Sequence, residues 1–230
     1  MNTVSPVQQP PTSAWSIYRA IVGIGALCAL LIVTVYQATA SRISENQERF
    51  LALAIAEVLP AAQSTVAIVL TEDGRLVEAT DAPALPVFLG FDANVELVGA
   101  VVTAEGMGYQ AIIRVLYAYS FDEDAIVGFK VLDSKETPGL GDRVETEPHF
   151  IANFENLDAT VLPGAETLLH PIVTVKQGEK TEGWQIDGIT GATITSEAIG
   201  NILNESANTW VPVLERNSTA FRKSDMTGER

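Results

Sequence analysis

The sequence predicts an α+β protein with one N-terminal transmembrane helix, followed by a largely antiparallel sheet packed with helices. Residues 20–40 form an uncharged apolar stretch, and residues 64–132 contain β-branched runs separated by turn residues. Residues 195–210 repeat apolar side chains with the period of a helix. The chain has 230 residues, of which 47% are hydrophobic, so it suffices for one medium domain with its own core.

The apolar stretch 20–40 is long enough to cross a bilayer. A helix of 21 residues covers about 30 Å, the thickness of the hydrocarbon core. Arg19 and Arg42 flank the stretch, and no polar face interrupts it. The sequence Ala38-Thr39-Ala40 also resembles a small-x-small cleavage site, so a cleaved signal peptide is the alternative. The length of the stretch favours an uncleaved anchor.

Local patterns predict the elements of the folded domain, residues 43–216. Ser44 and Gln47 form a capping-box pattern before a helix that Pro60 ends. The predicted strands are residues 64–70, 76–79, 95–102, 111–119, 125–132, 169–175 and 184–187, with a hairpin over 110–134. Residues 81–92 are predicted as a loop and 148–157 as a short helix.

A C-terminal helix is predicted from its apolar periodicity. Thr195 or Ser196 is expected to cap it, and Pro212 to bend or restart it. Residues 217–230 are predicted as a polar C-terminal tail.

Charge and cysteine content exclude several functional classes. Residues 43–230 carry 12 basic and 29 acidic side chains, a net charge of −17, which repels nucleic acid. The single cysteine, Cys28, excludes an internal disulfide and a cysteine-ligated metal cluster. His149 and His170 lack ligand spacing, so no metal site is predicted. No hydrolase triad or nucleophile elbow is present either.

The segment Asp187–Ser196, DGITGATITS, concentrates small residues and hydroxyl groups between a predicted strand and a predicted helix. The unpaired N–H groups and the positive dipole end at a helix start favour an anion. Gly191 and Ala192 allow a bulky ligand close to the backbone. Hydroxyl donors are available from Thr190, Thr193, Thr195 and Ser196. Taken alone, the segment is more simply interpreted as a capped helix after a tight turn.

Two further motifs change that interpretation. KETPGLGD occupies residues 135–142, and GMGY occupies residues 106–109. In this order and spacing, the three motifs resemble the G subunit of the Rnf electron-transport complex and the C subunit of the sodium-pumping NADH:quinone reductase. The family's attachment motif, Asp-x-x-(Ser/Thr)-Gly-Ala-Thr-x-(Thr/Ser), falls on Asp187, Thr190, Gly191, Ala192, Thr193 and Thr195.

The resemblance implies an FMN-binding domain with FMN attached covalently by a phosphoester to Thr193. The chain would be an electron-carrier subunit of an Rnf-type ion-translocating membrane complex, with no catalytic residue and no metal of its own. Its partners would be the other membrane subunits and a flavin transferase. Residues 1–19 would lie in the bacterial cytoplasm, and residues 43–216 on the periplasmic side of the inner membrane.

Two alternatives remain open at this point. One is a stand-alone membrane-anchored extracytoplasmic flavoprotein, a reductase or sensor outside any ion pump. The other is a binding or structural domain without flavin, in which DGITGATITS only starts a helix.

The resemblance also assigns residues 135–142 to the flavin ring. The candidate residues there are Glu136, Thr137, Gly139, Leu140 and Gly141, with Leu140 and Thr137 as the expected ring neighbours. Trp184 would either cover the ring or fill the core. Glu136 would either lower the flavin potential through its charge or hold the loop by bonding its backbone, and the second role is favoured.

Overall fold

The computed structural model describes residues 14–70, 76–78 and 85–223. The chain divides into two compact units, the first ending at Phe50 and the second starting at Leu51. That boundary falls inside one helix, α1 (Ala14–Val58), which contains the predicted transmembrane segment. The predicted helix start at Ser44 is wrong, because α1 continues through this residue. The local capping pattern is overridden by the helix that precedes it.

In the first unit, α1 exposes apolar side chains on all sides. Within the described residues, it is the one helix long and apolar enough to cross a membrane, judged by length and composition. The Thr34 and Thr39 hydroxyls donate to carbonyls one turn earlier, Leu30 O and Val35 O. These bonds give the two hydroxyls partners without water.

The second unit is built on one antiparallel sheet, which has seven strands in the described part of the chain. Their spatial order is β2-β1-β3-β4-β5-β6-β7, and each neighbouring pair is antiparallel. The strands are β1 (Ser64–Leu70), β2 (Leu76–Glu78), β3 (Val87–Phe91), β4 (Leu97–Met107), β5 (Ile112–Ser120), β6 (Ala125–Asp133) and β7 (Leu157–Asp158). The predicted antiparallel sheet is confirmed.

The chain between β1 and β4 differs from the prediction at two points. Residues 87–91 form β3 between β1 and β4, so the predicted loop is wrong there; residues 81–84 lie outside the described residues. The strand predicted to start at Val95 starts at Leu97, because Val95 has φ 63° in a turn. The Asp92 carboxylate closes that turn by accepting the Glu96 N–H at 2.8 Å.

The remaining strands form a separate small sheet. β8 (Val173–Val175) and β9 (Gln185–Asp187) pair in parallel. The strand predicted over 169–175 is therefore reduced to its last three residues.

Four helical segments follow the β5–β6 hairpin in the described part of the chain, and the first is a 3₁₀ helix (Gly141–Glu145). The predicted helix at 148–157 is α2 (Pro148–Ile151) continued by a 3₁₀ helix (Ala152–Glu155). The last helix, α3 (Thr193–Lys223), runs through Pro212 without restarting. It also continues past residue 217 into the segment predicted as a polar tail.

The two faces of the sheet pack against different helices. On β5, Val115 and Tyr117 join the larger core, to which α3 contributes Leu203. The alternate residue Leu116 joins a smaller core with Ile55 near the end of α1. This alternation follows from the two-residue period of a strand. The sheet is therefore covered on both faces, and α3 is held on the larger one.

Gly128 on β6 lies directly under the end of α1. A Cβ at this position would overlap the carbonyl oxygen of Val58. We expect Gly128→Ala to lower the free energy of unfolding by about 3 kcal/mol, because backbone atoms must shift. The melting temperature of the full chain in detergent should fall by about 6–12 °C.

Gly183→Ala is the matched control. A Cβ there would make an ordinary contact of 3.4 Å with the Asp158 Cβ. Equal melting temperatures for the two variants would contradict the packing of α1 on β6.

The buried Tyr117 makes the free energy of unfolding fall at alkaline pH. Its hydroxyl lies 2.9 Å from the Ser206 Oγ, and burial raises the pKa of Tyr117 well above its usual value. The folded pKa exceeds the unfolded one, so this stability is full below about pH 10 and is lost as the pH rises further, by about 1.4 kcal/mol per pH unit. Tyr117→Phe should therefore show a shallower loss of melting temperature between pH 8 and 11. An unchanged dependence of the melting temperature on pH in this variant would contradict the role given to Tyr117.

Candidate functional site

The first turn of α3, the loop over residues 137–141 and the turn between β4 and β5 border an open cavity of about 320 Å³. Small-molecule pockets have volumes of about 300–1,000 Å³. The lining residues are Tyr109, Thr137, Leu140, Gly141, Gly191, Ala192, Thr193, Ile194 and Thr195. The structure thus brings the 135–142 motif and the 187–196 motif together at one cavity.

Thr193 is the first residue of α3 and its side chain is exposed. The helix that follows has 31 residues, so its unpaired N–H groups and dipole favour an anion at this end. The preceding turn places Gly191 at φ 88°, where a side chain would be strained. Ala192 is buried next to it. Thr193 is therefore accessible, while the Gly191 turn and the buried Ala192 hold the start of α3 in place.

Glu136 lies behind the cavity wall and is 6% exposed. Its Oε1 accepts the Gln110 N–H at 2.9 Å and the Ala111 N–H at 3.4 Å. Its Oε2 accepts the Thr195 hydroxyl at 2.9 Å. Through these bonds Glu136 holds a backbone segment in place. That segment is the β4–β5 turn and not the loop that contains Glu136.

Two glycines leave room for the Glu136 carboxylate. A Cβ on Gly108 would lie 2.5 Å from its Oε1, and a Cβ on Gly141 would lie 2.6 Å from its Oε2. The Gly141 Cβ would also lie 2.9 Å from the Thr195 Oγ1. The glycines of both motifs therefore allow the close approach of the three segments.

An ionic network holds the backbone before Thr193. The Arg143 guanidinium donates to Thr190 O at 2.9 Å and to the Glu147 Oε2 at 2.7 Å. The hydrogen bond from Arg143 holds the pKa of Glu147 below its usual value. The His149 Nδ1 lies 3.3 Å from the Glu147 Oε1, and the His149 Nε2 lies 3.3 Å from Gly188 O. The network thus reaches both Gly188 and Thr190.

Asn153 holds Asp187 in place through the backbone. The Asn153 Oδ1 accepts the Asp187 N–H at 3.0 Å, and its Nδ2 donates to Asp187 O at 3.1 Å. Lys180 donates to the same Oδ1 at 3.1 Å; burial lowers the pKa of Lys180, and Asp187 opposes that shift. The Asp187 Oδ1 accepts the Gly178 N–H at 2.6 Å. Asp187 therefore ends β9 and does not line the cavity.

The expected cap residues have other partners. α3 starts at Thr193, and the Ser196 Oγ accepts the Ile189 N–H at 3.1 Å from a buried position. Thr195 donates to Glu136, so neither residue caps the helix as predicted. Both hydroxyls instead tie the first turn of α3 to the preceding chain and to the 136–141 loop.

Three further predicted residues, Thr190, Gly139 and Trp184, lie outside the cavity lining. Gly139, at φ 77°, donates its N–H to the Asp142 Oδ1 at 2.7 Å and so closes the turn of its loop. Trp184 stacks on His170, with ring centroids 3.9 Å apart. The structure therefore places Trp184 against His170 and outside the cavity lining, whereas the sequence left open whether it covers the ring or fills the core.

Tyr109 and Ile194 are lining residues that the sequence prediction missed. Tyr109 is 63% exposed, Ile194 is 56% exposed, and Leu140 beside them is 52% exposed. Three large apolar side chains at the mouth of a cavity suit a flat aromatic ligand. Two features of the sequence could have identified them: the aromatic residue in the GMGY motif, and the isoleucine between hydroxyl residues in DGITGATITS.

Comparison with known proteins identifies the family. A family model for the FMN-binding domain matches residues 108–208, which contain the whole cavity lining. The chain is 31% identical over 188 residues to the G subunit of the ion-translocating oxidoreductase complex of Methanosarcina acetivorans, covering 82% of this chain and 89% of the relative. The chain belongs to the G-subunit family of ion-translocating oxidoreductase complexes.

A second relative agrees with this assignment, and a solved structure shares the fold. The G subunit of the Na⁺-translocating ferredoxin:NAD⁺ oxidoreductase complex of Acetobacterium woodii is 31% identical, over 79% of this chain and 83% of its own length. The structure of the C subunit of the Na⁺-translocating NADH-quinone reductase from Parabacteroides distasonis superposes with a TM-score of 0.59. It is 20% identical and covers 77% of this chain and 96% of that chain, which shows a shared fold.

Asn153 offers a test of the backbone support around the segment Asp187–Ser196. Asn153→Leu keeps a buried side chain but leaves the Asp187 N–H and C=O without partners. We expect the free energy of unfolding to fall by about 2–4 kcal/mol, measured by thermal unfolding of the full chain. Asn156→Leu is the control, because Asn156 is exposed in the same region. A larger loss in the control would contradict the role of Asn153.

Proposed function

We propose that this protein is a membrane-anchored electron-carrier subunit of an ion-translocating oxidoreductase complex, and that it carries FMN through a phosphoester on Thr193. The observation that carries the proposal is the exposed Thr193 hydroxyl at the start of α3, on the wall of the cavity. The family supports the class of complex. The coincidence of its attachment motif with this cavity supports the linkage.

The residues present fit FMN. The start of α3 favours the phosphate, and the apolar side chains of Tyr109, Leu140 and Ile194 suit contact with the ring. The bound flavin would supply electron-transfer chemistry. The first turn of α3 would hold the phosphate, the loop over 137–141 would contact the ring, and the open side of the cavity would allow exchange with a partner.

Attachment requires a separate flavin transferase that uses FAD. The Thr193 Oγ forms a bond to the phosphorus of the FMN half, the phosphoanhydride bond breaks, AMP leaves, and the hydroxyl proton is released to solvent. Exposure of Thr193 and Ile194 gives such an enzyme access to the segment. A covalent bond would retain the cofactor where no cytoplasmic flavin pool can replace it.

In this proposal, α1 anchors the chain in the membrane and the second unit lies on the extracytoplasmic side. The apolar length of α1 supports the anchor. The relatives' names, which describe subunits of ion-translocating oxidoreductase complexes, support partners that are the other subunits of such a complex. Electrons would pass between those subunits and the cavity.

Intact mass of the denatured full chain tests the linkage after co-expression with a flavin transferase. Wild type should gain the mass of FMN less one water and stay yellow, and Thr193→Ala should lose both. Thr193→Ser keeps a hydroxyl and should retain some modification. Thr146→Ala changes an exposed threonine outside the cavity and should load like wild type. Unmodified wild type, with the transferase active on another substrate, would contradict the proposal.

A further inference from the structure

We propose that Glu136 is a positioning residue. Its carboxylate, by bonding the Gln110 N–H and the Thr195 hydroxyl together, sets the geometry in which Thr193 accepts the flavin. The part of this inference that concerns flavin rests on the proposed function. The part that concerns the three connected segments stands on the structure alone.

The Glu136 carboxylate bonds two segments that are distant from it in the sequence. Its two oxygens bond residues 26 and 59 positions away in the sequence, Gln110 and Thr195. Thr195 lies two residues after Thr193 in the same helical turn. A shift of Glu136 therefore moves the start of α3 relative to the β4–β5 turn, which carries Tyr109 on the other side of the cavity.

The Glu136 carboxylate also has little freedom to move. Glu136 is buried, and the Gly108 and Gly141 backbones leave no space for even one added carbon beside its oxygens. The groups facing it, Gln110 N–H, Ala111 N–H and the Thr195 hydroxyl, can all donate, and a carboxylate accepts at both oxygens. Packing and hydrogen bonding thus select one position.

Substitutions of Glu136 separate the role of its side-chain length from the role of its charge. Glutamine keeps the length of the side chain: its Oε1 can accept from Gln110, and its Nε2 can donate to the Thr195 oxygen. Aspartate keeps the charge but is one methylene shorter, so it cannot span both partners. A positioning role requires Glu136→Gln to behave like wild type and Glu136→Asp to fail. A purely electrostatic role requires the reverse.

The experiment compares Glu136→Gln, Glu136→Asp and Glu136→Ala with wild type, all as full chains in detergent. Purified transferase and FAD are added to unloaded protein, and intact mass follows the initial rate of modification. We expect the glutamine variant within about threefold of wild type, and the aspartate and alanine variants slower by about tenfold or more, since misplacement of a reacting group has effects of this size.

Hydrogen–deuterium exchange of the unloaded chains supplies a readout that needs no flavin. Peptides covering residues 108–113 should exchange about tenfold faster in the aspartate and alanine variants, corresponding to about 1.4 kcal/mol of lost protection, but not in the glutamine variant. Peptides from the centre of β5 should be unchanged in all variants, which shows that the fold is retained.

Three results would overturn the inference: equal loading rates in all four proteins, normal loading in the aspartate variant with slow loading in the glutamine variant, or unchanged exchange at residues 108–113 in the alanine variant. Failure of wild type itself to load would instead contradict the proposed function. In that case, exchange at residues 108–113 alone decides whether Glu136 holds the turn.

Discussion

The close contact among the β4–β5 turn, the loop over 136–141 and the first turn of α3 is the constraint on which the cavity depends. Gly108 and Gly141 make it possible, because side chains there would displace the Glu136 carboxylate from Gln110 and Thr195. The motifs at residues 135–142 and 187–196 are about 50 residues apart in the sequence. They line the same cavity only through this contact. The packing of α3 on the larger core of the sheet then keeps that wall in place.

The segment around Thr193 combines a fixed backbone with an accessible hydroxyl. Arg143 holds Thr190 O, Asn153 holds the backbone of Asp187, and Ser196 accepts the N–H of Ile189. Such an arrangement suits a residue that a second enzyme must modify without unfolding the domain.

Some of the structure could be predicted because the signal is local. The β-branched runs at 64–70, 111–119 and 125–132 form strands almost as expected, since burial of alternate side chains needs no knowledge of distant residues. The resemblance of short motifs located the cavity wall. It pointed to Thr137, Leu140 and Thr193, all of which line the cavity.

Other features depend on contacts that the sequence does not reveal. Gly90 was interpreted as part of a loop, but it lies in β3, where a Cβ would meet the Leu59 Cδ2 at 2.6 Å. Ser196 has the pattern of a helix cap, but it bonds backward to Ile189 from inside the helix. Trp184 could be placed only by its stacking on His170, and Tyr109 only by the approach of the β4–β5 turn to α3.

The central claim is that one hydroxyl, that of Thr193, bears the flavin, and fragment mapping of the loaded chain by tandem mass spectrometry tests it most directly. Trypsin should release residues 181–216 as one peptide, which also contains Thr181, Thr190, Thr195, Ser196, Ser206 and Thr209. The account predicts that every fragment containing Thr193 carries the mass of FMN less one water, and that fragments ending before it do not. Flavin on any other of these hydroxyls, or on none, would contradict it.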